Sequence, residues 1–347
     1  MSAKFSSFTG RCAAIFLPLV LLSCTPADPI QRFSGPAQGS TYNISYWADS
    51  QINAAELQKQ IVQELDRIDL AMSNYRPDST IEQFNATQHT NLQPVGAELV
   101  ALVEDARKVT KASYGCYDLT VKPLFELWGF KADKFNQPTP EQISQSMQLV
   151  GMDKISTNAQ GEMSKAMPEM RVDVSSIAQG YTVRKLSGIM EQAGVMNYLV
   201  EVGGELQVRG KKPAGQPWKV AIEKPLPGDQ RLQKIIEVQQ DEPLAIMTSG
   251  TYRHYFDANG QRFSHVLDAR AGAPVRHNTV STTVLIDNAT FGDAWSTAFL
   301  CLGSEAGLKV ADELGLKVLF IDQQGDALVE KSSQALAQSK DVTLQQQ

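Results

Sequence analysis

Tyr198-Leu-Val-Glu-Val-Gly-Gly-Glu-Leu-Gln-Val208 decides how this 347-residue chain folds. Two β-rich runs, Tyr198 to Val202 and Glu205 to Val208, flank Gly203-Gly204, and that pattern reads as a hairpin. The glycines mark a tight backbone passage where side chains do not fit. The stretch is also the chain's nearest approach to a glycine-rich nucleotide fingerprint, but it lies between strands and lacks the helix that a dinucleotide-binding turn requires. Lys219 to Ile222 and Ile235 to Val238 continue the β pattern, and Val280 to Ile286 precedes a helical stretch around Asp293. Val318 to Ile321 leads through the turn Gln323-Gln-Gly-Asp326 to a last short strand. Upstream, Leu57, Ile61, Leu65, Ile68 and Met72 recur at helical spacing, as do Leu99, Leu102, Val103, Ala106 and Val109 in a segment that Gly115 helps to end. Thr139 as N-cap with Pro140 and Gln142 announces a third helix that stops at Gly151, and a fourth runs from about Ile177 to Ala193. Helices and antiparallel strands mix without regular alternation, so the expected class is α+β, with mixed, largely antiparallel sheets and packed helices, and not a doubly wound sheet.

The first residues carry Lys4 and Arg11, then an apolar run from Cys12 to Leu22, too short for a membrane span. It reads as an export signal over residues 1–23. Leu21-Leu22-Ser23-Cys24 is similar to a bacterial lipoprotein box, in which the cysteine becomes the lipidated first residue. The expected location is therefore the periplasmic side of a bacterial membrane, with a lipid anchor at Cys24 and a tether over residues 24–32. Residues 33–331 form one catalytic unit, with room for two lobes, because no Pro/Ser-rich linker divides them. The Gln-, Ser- and Lys-rich tail 332–347 is expected to fray. The formal charge of −6, which becomes −8 once Lys4 and Arg11 leave with the signal, argues against nucleic-acid binding. Cys116 and Cys301 give no metal-ligand spacing, and whether they pair stays open.

Three polar clusters set among apolar runs carry the chemistry: Thr248-Ser-Gly-Thr-Tyr-Arg-His-Tyr-Phe256, Ser264-His-Val-Leu-Asp268 and Phe291-Gly-Asp-Ala-Trp-Ser-Thr297. Asp293 and Thr297 stand four apart and so project from one helix face, a hard oxygen pair suited to Mg²⁺. The same pair also fits an acid favouring a helix N-terminus and a packed threonine. His265 suits a base because an unperturbed imidazole titrates near neutrality, and Asp268 lies three residues on, available to orient it.

Ala37-Gln-Gly-Ser-Thr-Tyr42, Met72-Ser-Asn-Tyr-Arg-Pro-Asp78 with Phe84-Asn85, Tyr117-Asp-Leu-Thr-Val-Lys-Pro-Leu124 with Leu127-Trp-Gly-Phe130, Asp173-Val-Ser-Ser-Ile-Ala-Gln-Gly-Tyr181 with Glu201-Val-Gly-Gly-Glu205, and the three clusters above occur in this order. The ordered set resembles the FAD:protein FMN transferases, the ApbE family, over roughly residues 33 to 330. That resemblance implies an ApbE-like fold and an exported, Mg²⁺-dependent enzyme that takes FAD as substrate, moves its FMN half onto a threonine of a partner protein and releases AMP. It implies that Asp293, Thr297 and the carbonyl of Ser176 hold the metal and that His265 is the base. Tyr75 would stack on the isoalloxazine. Cys116, Tyr117, Asp118, Asp173, Gln179 and Val266 match positions along the cofactor. Gln38 stands where many members carry methionine. Acceptors implied by the resemblance are subunits of sodium-translocating NADH:quinone reductase or Rnf-type complexes. Two other readings use the same residues: an FAD diphosphatase with water as nucleophile, and a periplasmic flavin-binding lipoprotein without catalysis.

Overall fold

The computed structural model describes residues 1–2, 30–226, 228, 231–258 and 260–345. The apolar run of the leader and Cys24 lie outside them. Among the described residues no helix is long and apolar enough to cross a membrane.

The frame is an eight-stranded sheet in the order Gln31–Ala37, Ser40–Trp47, Asn197–Val202, Glu205–Arg209, Leu244–Gly250, Thr279–Ile286, Lys317–Gln324, Ala327–Ser332. Every neighbouring pair is antiparallel. The hairpin read from the sequence sits at its centre: Val202 pairs with Glu205, and Gly203 and Gly204 take φ of 63° and 102°. Positive φ at both loop residues is what a two-residue turn matching the strand twist requires, and glycine supplies it without steric cost.

Three segments are inserted between strands of this sheet. The helical segment enters between Trp47 and Asn197, a three-stranded sheet is built largely from the segment between Arg209 and Leu244, and two small hairpins lie between Gly250 and Thr279. Strand alternation sets what covers each face. Ala245 and Met247 turn to a core shared with helices Ala54–Met72 and Ser175–Gln192, whereas Leu244 and Ile246 turn to the core under the three-stranded sheet. A third core packs the helix Ala97–Ala112 against the long helix Ala289–Glu313 and joins both to Val284, Val318 and Phe320 of the main sheet. The two helical stripes expected upstream are the buried faces of Ala54–Met72 and Ala97–Ala112.

Two boundaries differ from the sequence reading. The Thr139-capped helix has its full capping box but ends at Met147, because Gln148, Leu149 and Val150 close tighter i→i−3 bonds before Gly151 is reached. The tail expected to fray over 332–347 is built in over its described residues, which end at Gln345: Ser333 caps helix Gln334–Ala337, and Val342–Gln345 pairs with Leu232–Val238. Leu336 and Val342, isolated in a polar stretch, are both buried in the core under the three-stranded sheet.

Cys116 and Cys301, 185 residues apart, form a disulfide with Cα atoms 6.0 Å apart. It ties the segment before Tyr117 to the long helix. Closing so long a loop restricts the unfolded chain, and losing a native disulfide of this kind costs about 2–5 kcal/mol. Denaturant unfolding with and without a reductant should show a loss of that size.

Candidate active site

The sheet edge at Thr248-Ser-Gly250, the start of helix Ser175–Gln192, the start of helix Ala289–Glu313 and the loop at His265 converge on one cavity of about 240 Å³. Asn288, not Asp293, caps the long helix: its side chain accepts the amides of Thr290 and Phe291. That frees Asp293, one turn in, to face the neighbouring helix. Its carboxylate accepts the N–H of Gly180 at 2.7 Å. In a regular helix the amide of residue 180 aims at the carbonyl of Ser176, so the Asp293 carboxylate and the Ser176 carbonyl lie about the same donor. Thr297 follows on the same face, its hydroxyl 3.2 Å from that of Ser249. The three residues expected to hold a cation therefore line one cavity, reached from two segments.

Asp293 is only 4% exposed. Burial pushes its carboxyl up to about 7, against the lowering effect of the Gly180 and Gln179 amides. Glu205, 6% exposed, lies on the same wall and accepts the amide of Thr248 at 3.0 Å. Burial and the charge of Asp293 hold it well above the carboxylate range. Among the described residues, four acidic residues, Asp118, Asp173, Glu205 and Asp293, line the cavity, against one arginine, Arg253. A buried, acid-rich cavity with hydroxyl and carbonyl oxygens fits a small hard divalent cation.

His265 lines the same cavity. Its Nδ1 stands 2.9 Å from the carbonyl of His254. A carbonyl only accepts, so Nδ1 carries the hydrogen and Nε2 keeps its lone pair. Desolvation lowers the imidazole to about 4 against the raising effect of the His254 carbonyl, with smaller lowering contributions from the charges of His254 and Arg253, so the ring is neutral at pH 7. The ring of His254 stacks behind it, centroids 5.7 Å apart. The orienting role read for Asp268 falls to that backbone carbonyl. Asp268 is instead held by Arg270, through the amide at 2.9 Å and the guanidinium at 2.7 Å.

A family model described as the ApbE family matches residues 38–320. The chain belongs to the ApbE family. A relative from Haemophilus influenzae named FAD:protein FMN transferase is 35% identical over 331 residues, 93% of this chain and 95% of that one. A Vibrio cholerae protein of the same name is 36% identical over 321 residues, 91% of this chain and 94% of that one. Among solved structures, the flavin transferase ApbE from Vibrio cholerae superposes with a TM-score of 0.80 at 34% identity, covering 89% of this chain and 99% of that one. The apo flavinyl transferase ApbE from Pseudomonas stutzeri gives 0.80 at 35%, covering 88% and 95%.

Placed in this ApbE-family chain, the other residues read from the sequence divide between two connected spaces. Cys116, Tyr117, Asp118, Asp173, Gln179 and Val266 line the cavity with the cation oxygens. Tyr117 is buried, its hydroxyl accepting from Ser176 at 3.1 Å. The carboxylate of Asp118 is committed to the amides of Thr120 and Met152, so it shapes the wall and offers its backbone. Tyr75, 86% exposed, and Gln38 instead border an adjoining cleft of about 580 Å³ that shares Gln179, Arg253 and His265 with the cavity. Gln38 donates to the hydroxyl of Thr182 at 2.7 Å, and its amide oxygen is buried without a partner. Glu205, Arg253 and His254 are functional neighbours that the sequence reading quoted without assigning a role. Glu205 adjoins the Gly203-Gly204 turn in sequence, whereas Arg253 meets that turn only in the fold, its guanidinium lying against Gly204.

Close helix contact fixes where Asp293 meets the neighbouring helix. A Cβ on Gly180 would overlap the carbonyl oxygen of Ala289 and the Cβ of Asp293. Gly180→Ala should therefore separate the two helices and lower stability by about 1–3 kcal/mol, measured by urea unfolding.

Proposed function

We propose that this chain transfers the FMN half of FAD onto the hydroxyl of a threonine in an acceptor protein, releasing AMP, and that the reaction requires Mg²⁺. The observation that carries this reading is the juxtaposition in one cavity of buried cation-seeking oxygens at Asp293, Thr297 and Ser176 with a neutral imidazole at His265 whose Nε2 is free to accept a proton. The relatives' name, FAD:protein FMN transferase, supports the substrate. Bound at those oxygens, Mg²⁺ would neutralise phosphate charge and stabilise the leaving phosphate. His265 takes the proton of the threonine hydroxyl as that oxygen bonds to the FMN phosphorus, and the bond from this phosphorus to the bridging oxygen breaks so that AMP departs with it. Tyr75 offers a flat face to the isoalloxazine at the open side of the cleft, where Gln38 borders it. Tyr117 and Val266 shape the wall, and Gln179 and Asp173 present polar groups to the nucleotide.

The acceptor class is a subunit of an NADH:quinone reductase or Rnf-type complex with its threonine outside the cytoplasm, reached by an enzyme lipid-anchored through Cys24 on the periplasmic side. Incubation with FAD, Mg²⁺ and such a subunit should yield covalent flavin, seen as fluorescence on a denaturing gel, with equimolar AMP. No covalent flavin, with FMN and AMP formed equally well without acceptor, would make the chain a diphosphatase.

A further inference from the structure

The roles assigned so far leave Arg253 unused, although it lines both the metal cavity and the flavin cleft. Among the described residues it is the sole lysine or arginine on the wall of the cavity. Arg76, which borders the cleft, and Lys131 and Lys122, which line the neighbouring hollow beyond Tyr75, are tightly engaged. Arg76 grips Asp69 and Asp78 at 2.8 Å, Lys131 meets Glu126 at 2.9 Å and the buried Lys122 is paired with Glu82. Arg253 reaches its ion-pair partner, Glu223, at only 3.9 Å, too far for a hydrogen bond, and its side chain remains half-exposed. Its position is nonetheless built. The guanidinium nitrogens lie 3.3 and 3.4 Å from where a Cβ on Gly204 would stand, so the bare turn at Gly203-Gly204 lets the fork lie against backbone. On the other glycine, a Cβ at Gly203 would strike the amide of Gln179. The turn that centres the fold thus clears room for two polar side chains at the junction of the two spaces.

We propose that Arg253 grips the diphosphate of the flavin nucleotide, opposite the cation oxygens of Asp293 and Thr297. The inference rests on the reading of the cavity as the FAD site. A planar fork with five donors and no tight carboxylate partner matches phosphate oxygens in bidentate fashion, and charge-assisted bonds of this kind are the strong ones. The placement also fits the two spaces: a nucleotide spanning from cleft to cavity must pass the point that borders both, and Arg253 stands there. The Arg253 fork binds ground-state phosphate whether or not a divalent ion is present.

The test is flavin binding to the full-length protein in EDTA, followed by quenching of flavin fluorescence, with FAD, FMN and riboflavin as probes. Arg253→Gln should weaken FAD by about 10- to 100-fold and FMN less, while riboflavin, which has no phosphate, should stay within about twofold of wild type. Arg253→Lys should recover part of the FAD affinity but not all of it, because a point charge replaces a fork. An equal loss for riboflavin and FAD, or no loss for either, would overturn the assignment; a thermal melt of each variant separates misfolding from lost contacts. Failure of the wild-type protein to bind FAD at all would instead remove the site reading on which the proposal stands.

Discussion

Asp293→Asn should lower Mg²⁺-dependent flavin transfer by about 10³-fold or more while leaving the fold intact. Asparagine keeps the shape and can still accept the Gly180 amide, but it removes the anionic oxygen from a proposed ligand set whose other two members are a neutral hydroxyl and a carbonyl. The magnitude follows from the several kcal/mol of charge stabilisation that a metal supplies in phosphoryl transfer, at 1.36 kcal/mol per factor of ten. The same carboxylate carries a pH signature. Because burial raises it to about 7, the metal-free folded state holds a proton that the unfolded chain has already released between about pH 4 and 7. Stability of the metal-free protein should therefore fall as pH rises through that window, and it should recover when Mg²⁺ binds the deprotonated form. In Asp293→Asn the part of the slope due to this residue disappears. Thermal melts at pH 5 and 7.5, with EDTA or Mg²⁺, check the sign. Unchanged Mg²⁺-dependent turnover in the variant would move the metal elsewhere.

Where the sequence was a good guide, local chemistry and tertiary packing agreed. Alternation over Tyr198 to Val208 with glycines at the only two loop positions leaves little but a tight hairpin, and that hairpin became the centre of the sheet. Asp293 and Thr297 were legible because four-residue spacing on a helix fixes a shared face whatever surrounds it. Contacts between distant segments were not. Nothing local tells that Cys116 meets Cys301, since only the completed sheet and the long helix bring them within bonding distance. Proximity in sequence misled at Asp268: three residues from His265, it turns to Arg270, while the oxygen that orients the imidazole comes from His254 across the small hairpin Tyr255–Ala258 and Gln261–Ser264. Asp118, which the resemblance sets along the cofactor, does line the cavity, but backbone amides satisfy its carboxylate. The tail failed for the opposite reason. Leu336 and Val342 are too few to give a period, yet each fills a place in a core whose other members lie far away in the chain.

His265→Ala should reduce turnover by about 10²- to 10⁴-fold, the usual contribution of a positioned base, with FAD affinity unchanged because the imidazole acts on the acceptor's hydroxyl and not on the nucleotide. The imidazole, lowered to about 4 by desolvation, holds its lone pair at every pH above that value. Its contribution to rate is therefore present at neutrality and lost as pH falls through about 4. Bound phosphates near the ring favour the protonated form and should move this limb upward in the substrate complex, which also strengthens the base. Asp293 produces a second limb, near 7, with a different cause: a proton competing with the metal. The two separate on one axis. Raising Mg²⁺ should shift the upper limb to lower pH by mass action and leave the lower one in place. In His265→Ala only the metal-dependent limb should remain. A profile of turnover against pH at two Mg²⁺ concentrations, for wild type and variant, reads both assignments at once. A lower limb that persists in the variant would take the proton transfer away from His265, and an upper limb indifferent to Mg²⁺ would detach it from Asp293.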